Sequence, residues 1–147
     1  MEPRPLAIKA RNLLVGVGAY YLSWFVANPL AIGFGKLTKG IIYSGDFEGD
    51  ILMPIVIRLP TALIAVVVGA SVVWLVESDR PLRWAVVPTF LYALALFHTR
   101  HWAPPLTLMD RVGQTIGVLF PAVACMVAAI FAARRRLASR VARSTPG

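Results

Sequence analysis

Long apolar windows alternate with short polar links along the chain. Four windows are almost free of charged residues: 13–33, 51–76 (which contains Arg58), 84–97 and 112–133. A helix needs about 20 apolar residues, with about 17 to 25 usual, to cross the hydrocarbon layer of a bilayer. The first, second and fourth windows meet this length and predict transmembrane helices.

The third window is shorter than the others. Only 14 residues separate Arg83 from His98, which is about 21 Å of helix. Arginine stems can lie in the acyl layer while their charged heads reach the interface, and tryptophan suits the headgroup level. Because Arg83, Arg100, Trp84 and Trp102 flank the window, we predict a short fourth span and leave open whether it crosses fully.

The composition agrees with a membrane environment. The chain has 147 residues, of which 58% are hydrophobic and 15% charged, and its mean hydropathy is +0.70. This is too apolar for a small water-soluble core. We predict an all-α integral membrane four-helix bundle with a basic N-terminus (1–12), a transmembrane domain (13–133) and a basic tail (134–147). The spans are expected over about 13–33, 52–76, 83–100 and 112–133.

Basic residues predict the orientation of the bundle. Ten of the 15 lie in the N-terminal segment, the link between the second and third helices, and the tail; they are Arg4, Lys9, Arg11, Arg80, Arg83, Arg134, Arg135, Arg136, Arg140 and Arg143. Both termini are therefore expected in the cytoplasm, with an uncleaved first helix. Twelve arginines against three lysines suggest a GC-rich bacterial genome, and hence the bacterial inner membrane.

Small residues predict how the helices pack, because close approach stabilises helix pairs in lipid. Gly113 and Gly117 form a G-x-x-x-G motif, and further rows of small residues occur in three helices; these are Ala124, Ala128 and Ala132, then Ala19, Ser23 and Ala27, and Ala65 with Gly69. We interpret these faces as packing within the bundle, with a homo-oligomer seam as the alternative. A break in the first helix is expected at Asn28-Pro29, where we favour a helix that ends a turn early over a discontinuous, transporter-like helix.

Three acids precede the second apolar window. Asp46, Glu48 and Asp50 occupy the first, third and fifth positions of a calcium loop, but Ile51 and Ile57 stand where that loop needs glycine and a bidentate acid. We therefore predict no metal site. The acids either contact a cation weakly or, as we favour, flank the positive end of the second helix.

Arg58 lies inside the second apolar window. An ionisable side chain within a span marks a functional site by default. With a helix start near residue 52, however, Arg58 lies only about 9 Å along the helix, and its side chain can nearly reach the interface. It either pairs with Asp110 or a first-loop acid, or contacts a ligand or ion.

The stretch "FHTRHW" follows the third window. His98, Arg100 and His101 could donate hydrogen bonds to a quinone or a lipid headgroup. The favoured interpretation is an interfacial aromatic and basic belt. No cofactor is required by the sequence. The single cysteine, Cys125, excludes an intrachain disulfide.

The tail "RRRLASRVAR" is predicted to bind anionic lipid headgroups. Nucleic-acid binding is not expected, because positive-inside patterning already accounts for the net charge of +8. The predicted spans contain no Asp or Glu, which argues against a proton-coupled carrier. Glu77 follows the end of the second span, with Asp79 close by.

Three functional hypotheses follow. No nucleophile-elbow, zinc-protease, phosphate-loop or dinucleotide motif occurs, so we favour a non-catalytic accessory or scaffold subunit bound to another membrane protein. The second hypothesis is a homo-oligomeric channel or carrier that uses Arg58. The third is a lipid- or quinone-handling enzyme around His98, Arg100 and His101.

Overall fold

Four helices make up the described part of the chain. A computed structural model describes residues 5–42, 47–100 and 108–144, with side chains described for 5–38, 55–95, 108, 111–113 and 115–142. The helices are α1 (Pro5–Ile42), α2 (Phe47–Leu75), α3 (Leu82–Arg100) and α4 (Leu108–Ser144). No strand occurs in these ranges. The predicted all-α fold and the count of four helices are confirmed.

Three helices contain segments long and apolar enough to cross a membrane. These segments are Pro5–Thr38, Ile55–Leu75 and Arg111–Ala142. In α3 the side chains are described only to Ala95, and the apolar segment within that range, Leu82–Ala95, is shorter, so the fourth span stays a prediction. With 38 and 37 residues, α1 and α4 are about 57 and 55 Å long, which exceeds the hydrocarbon thickness of about 30 Å.

The expected break in the first helix is wrong. α1 continues through Pro29 to Ile42, and both Asn28 and Pro29 are exposed. Proline removes only one backbone hydrogen bond, whereas a broken helix in lipid would leave several backbone groups without partners.

The helices form a ring whose order differs from their order along the chain. α2 packs most extensively on α4 and next on α1, while α3 packs on α4 and α1 and only sparsely on α2. α1 and α4 make no contact within the described ranges. The order around the ring is therefore α1, α2, α4, α3. The link from α2 to α3 must cross the end of the bundle diagonally.

The core is built from small and β-branched side chains of all four helices. One cluster contains Tyr20, Ala65, Val68, Val72, Val76, Tyr92, Ala122 and Cys125, and a smaller one contains Val73, Ala85, Ala129 and Ala132. Large apolar side chains point outward, as Phe25 (78% exposed), Leu63 (68%) and Phe131 (62%) show. Such a surface suits lipid as the solvent, where close backbone approach rather than apolar burial holds helices together.

Candidate functional site

The closest approach between helices lies where α2 crosses α4. A Cβ added to Gly69 would overlap the backbone carbonyl of Cys125, so only glycine fits there. Cys125 is fully buried. Both helices run in the same direction, because Arg136, which lies further along α4, reaches carbonyls further along α2.

The small residues predicted for packing lie on two different faces. Gly113 and Gly117 are buried on α4, whereas Ala124 and Ala128 are half-buried and line a groove against α2. The buried apolar positions of α4 include Val118, Ala122, Cys125, Ala129 and Ala132. Sequence reasoning named only Ala132 of these as a packing residue, although their spacing of three and four residues is the helical period.

The predicted residues of α1 join the bundle by different contacts. Ala19 and Ser23 both border a groove between α1 and α2. Ser23 is also buried, and its hydroxyl oxygen lies 2.5 Å from the hydroxyl oxygen of Tyr92 on α3. The same Ser23 hydroxyl donates to the backbone carbonyl of Tyr20 at 2.6 Å, and the rings of Tyr20 and Tyr92 pack edge to face with centroids 4.9 Å apart. This buried polar group joins α1 to α3.

Arg58 is half-buried in α2. It has no hydrogen bond or ion pair with any side chain for which the structure gives a placement. It lies 11 residues after the start of α2 at Phe47, or about 16 Å along the helix, which is further than the position about 9 Å along expected from a start near residue 52. Pairing with Asp110 stays a prediction, because that side chain lies outside those described.

The structure describes only some of the other residues that were predicted to contact a ligand or ion. Glu48 and Asp50 lie among the first four residues of α2, which begins at Phe47 rather than near 52. His98 and Arg100 belong to the last three residues of α3, and their side chains are not described. Asp46 and His101 lie outside the described residues. A shared outer site formed by these groups stays a prediction.

A polar cluster that sequence reasoning missed holds the link between α2 and α3. The Asn12 side chain, 1% exposed, donates from Nδ2 to the carbonyl of Glu77, and its Oδ1 accepts from the Glu77 amide, both at 3.2 Å. Arg11 forms an ion pair with the Glu77 carboxylate at 2.9 Å. One helical turn of α1 thus binds the backbone and the side chain of the same residue.

α4 holds the link from the opposite side. The Arg136 guanidinium donates to the carbonyls of Val73 at 2.5 Å and Val76 at 3.1 Å, and Arg140 lies 3.3 Å from the carboxylate of Asp79. The last carbonyls of a helix have no partner within it, and the last turn of α2 contains no basic residue. An arginine from a neighbouring helix supplies both the donors and the favourable charge.

Two open grooves run along the outside of the bundle. The α1/α2 groove encloses about 530 Å³ and is lined almost entirely by apolar atoms, with Gly18 and Ala19 on one wall and Val67 and Ser71 on the other. The α2/α4 groove encloses about 490 Å³ and ends beside Arg135. Both are sites where an elongated apolar partner can lie.

No group of three metal-ligating side chains occurs within the described residues. The chain matches no protein-family model, and neither its sequence nor its structure has a significant match among curated proteins or solved structures. A functional proposal must therefore come from the grooves, the charge distribution and Arg58.

Proposed function

We propose that this chain is a four-span protein of the bacterial inner membrane, with both termini in the cytoplasm. It acts as a non-catalytic accessory or scaffold subunit that binds a transmembrane helix of another membrane protein. The observation that carries the proposal is the apolar α1/α2 groove of about 530 Å³. One wall of the groove is α1, and only 22% of the most apolar 18-residue stretch of this helix is buried within the bundle.

The charge distribution supports the orientation. Arg11, the α2–α3 link and the basic turn of α4 lie at one end of the bundle, since Asn12 and Arg136 both contact that link. Basic residues concentrate on the cytoplasmic side of membrane proteins. Single-cysteine variants Ser78→Cys and Lys36→Cys in a Cys125→Ala background test the orientation. An impermeant maleimide added to intact cells should label residue 36 and leave residue 78 unlabelled; the reverse pattern contradicts it.

The wall of the groove suits a helix as its occupant. Gly18 and Ala19 leave room for the backbone of a neighbouring helix to approach, which is how helices associate in lipid. Ser71 adds a hydroxyl to the opposite wall. Leu22 and Val26 also line the groove and are 70% and 50% exposed, so this face of α1 is available to a partner.

A matched pair of glycines tests the groove. Neither Gly18 nor Gly33 has an atom within 4 Å of an added Cβ, so the fold accepts a larger side chain at both. Only Gly18 lines the groove. Native mass spectrometry of protein extracted gently from its own membrane should show a heteromeric mass for the wild type and Gly33→Leu, but not for Gly18→Leu. A sole monomer or homo-oligomer in the wild type contradicts the proposal.

A second candidate function rests on Arg58. A cation within an apolar segment, without a partner among the described side chains, is the feature expected of an anion or solute contact. Liposome flux that is lost in Arg58→Leu and retained in Arg111→Leu, at an exposed arginine of α4, favours a channel or carrier. Flux that is absent, or the same in both variants, removes this candidate.

A further inference from the structure

We propose that the α2/α4 groove binds one acyl chain of an anionic phospholipid, whose phosphate is held by Arg135. The inference rests on the membrane location and cytoplasmic orientation proposed above, but not on the partner helix, because that helix would occupy a different groove. It assigns a single lipid site, whereas the tail as a whole only attracts anionic headgroups.

The shape of the groove fits an acyl chain. Its floor and walls include Ala70, Ala124 and Ala128, while Trp74 and Phe131 form bulkier edges. From Ala124 to Arg135 the groove follows 11 residues of α4, or about 16 Å. This length is close to half of the hydrocarbon thickness of about 30 Å, which is the depth of one leaflet.

The charges place the headgroup at one end of the groove. Arg136 binds the carbonyls at the end of α2, so the adjacent Arg135 lies at the same end of the bundle as Trp74. Tryptophan is favoured at the headgroup level of a bilayer. The apolar length and the terminal cation therefore match the two parts of a phospholipid.

Arg135 is available to bind a phosphate. The two acids of the α2–α3 link are already paired, Glu77 with Arg11 and Asp79 with Arg140. Arg135 is exposed and has no ion pair with any side chain that the structure describes. A guanidinium forms bidentate hydrogen bonds with phosphate oxygens, and this charge complementarity favours an anionic lipid over an apolar helix as the occupant.

Native mass spectrometry with defined lipids tests the site. Delipidated protein is titrated with palmitoyl-oleoyl phosphatidylglycerol and, separately, with the corresponding phosphatidylcholine. We expect one tightly retained phosphatidylglycerol and little phosphatidylcholine. Arg135→Gln should weaken phosphatidylglycerol binding by more than about tenfold, because hydrogen bonds between a guanidinium and a phosphate are stronger than the general attraction of a basic residue to anionic lipid. Arg134→Gln, a neighbouring exposed arginine outside the groove, should change binding less than about twofold.

A second pair of variants tests the acyl-chain position independently of charge. Ala128→Phe fills the groove and should abolish the retained lipid, whereas Ile130→Phe, at an exposed position outside it, should not. Equal weakening by Arg134→Gln and Arg135→Gln, unchanged binding in Ala128→Phe, or equal retention of both lipids overturns the proposal. A lipid-free dimer that Ala128→Phe dissociates assigns the groove to a second copy and also overturns it.

Two different results would contradict the lipid site and the membrane location. Protein released from membranes by alkaline carbonate contradicts the membrane location itself. Protein that stays in the carbonate-washed membrane but shows no selective retention of phosphatidylglycerol contradicts the lipid site alone.

Discussion

The side-chain amide of Asn12 binds both backbone polar groups of Glu77, 65 positions further along the chain. A single buried side chain thereby satisfies a donor and an acceptor just beyond the end of α2. The contact holds the first helix to the second at the end that we assign to the cytoplasm.

Asn12→Ala is expected to lower the free energy of unfolding by about 1 to 3 kcal/mol, because the two hydrogen bonds that the buried Asn12 side chain makes with the Glu77 backbone are lost. The measurement is unfolding in mixed micelles by SDS titration, followed by circular dichroism. Asn28→Ala is the control, since Asn28 is exposed on the same helix, and it should change stability by less than about 0.5 kcal/mol. Equal losses in the two variants would contradict the role of Asn12.

Gly69→Ala should destabilise the bundle, because the new methyl group overlaps the Cys125 carbonyl and α2 and α4 must separate. Overpacking of this kind costs about 1 to 3 kcal/mol. Gly33→Ala meets no atom within 4 Å and should be neutral or stabilising by up to about 1 kcal/mol, since alanine is the better helix former. The same SDS titration measures the stability of both variants. A Gly69→Ala protein as stable as the wild type would contradict the close crossing of α2 and α4 at Gly69.

Arg136→Met is expected to lower stability by about 1.5 to 3 kcal/mol, the range for hydrogen bonds made by a charged group. It keeps the apolar stem but removes the donors to Val73 and Val76. Arg134→Met, at an exposed position, should have almost no effect. Hydrogen exchange at the end of α2 gives a local measurement: protection of its last turn should fall in the first variant only.

The Ser23–Tyr92 hydrogen bond can be measured with a double-mutant cycle of Ser23→Ala and Tyr92→Phe. We expect a coupling energy of about 0.6 kcal/mol and at most about 1.7, as found for polar pairs between membrane helices. Tyr21→Phe is the control, since Tyr21 is 57% exposed, and its coupling with Ser23→Ala should be near zero. A cycle without coupling would show that Ser23 is satisfied by the Tyr20 carbonyl alone.

The sequence predicts the positions of the helices better than it predicts which helices lie next to each other. Length and apolarity alone identify α1, α2 and α4, because a bilayer imposes a minimum span on any chain that crosses it. The ring order could not be predicted in the same way. It depends on contacts such as Gly69 with Cys125, and glycine and alanine are too common in membrane helices for one pair to be singled out.

The polar contacts were missed for a different reason. Arg136 was interpreted as one member of a basic tail, and nothing in its local sequence separates it from Arg134 or Arg135. Its role depends on the unsatisfied carbonyls at the end of α2, on another helix. Arg58, by contrast, can be identified from the sequence alone, because a charged residue within an apolar window is itself unusual.

The diagonal link from α2 to α3 has a consequence for biogenesis. Helices enter the membrane in the order of synthesis, yet the carbonyls of Val73 and Val76 receive their donor from Arg136, near the end of the chain. In the membrane protein proposed above, the first three helices would therefore enter the bilayer before this junction is complete. We expect a nascent chain that ends before residue 134 to insert with the carbonyls of Val73 and Val76 still lacking the donor that Arg136 supplies.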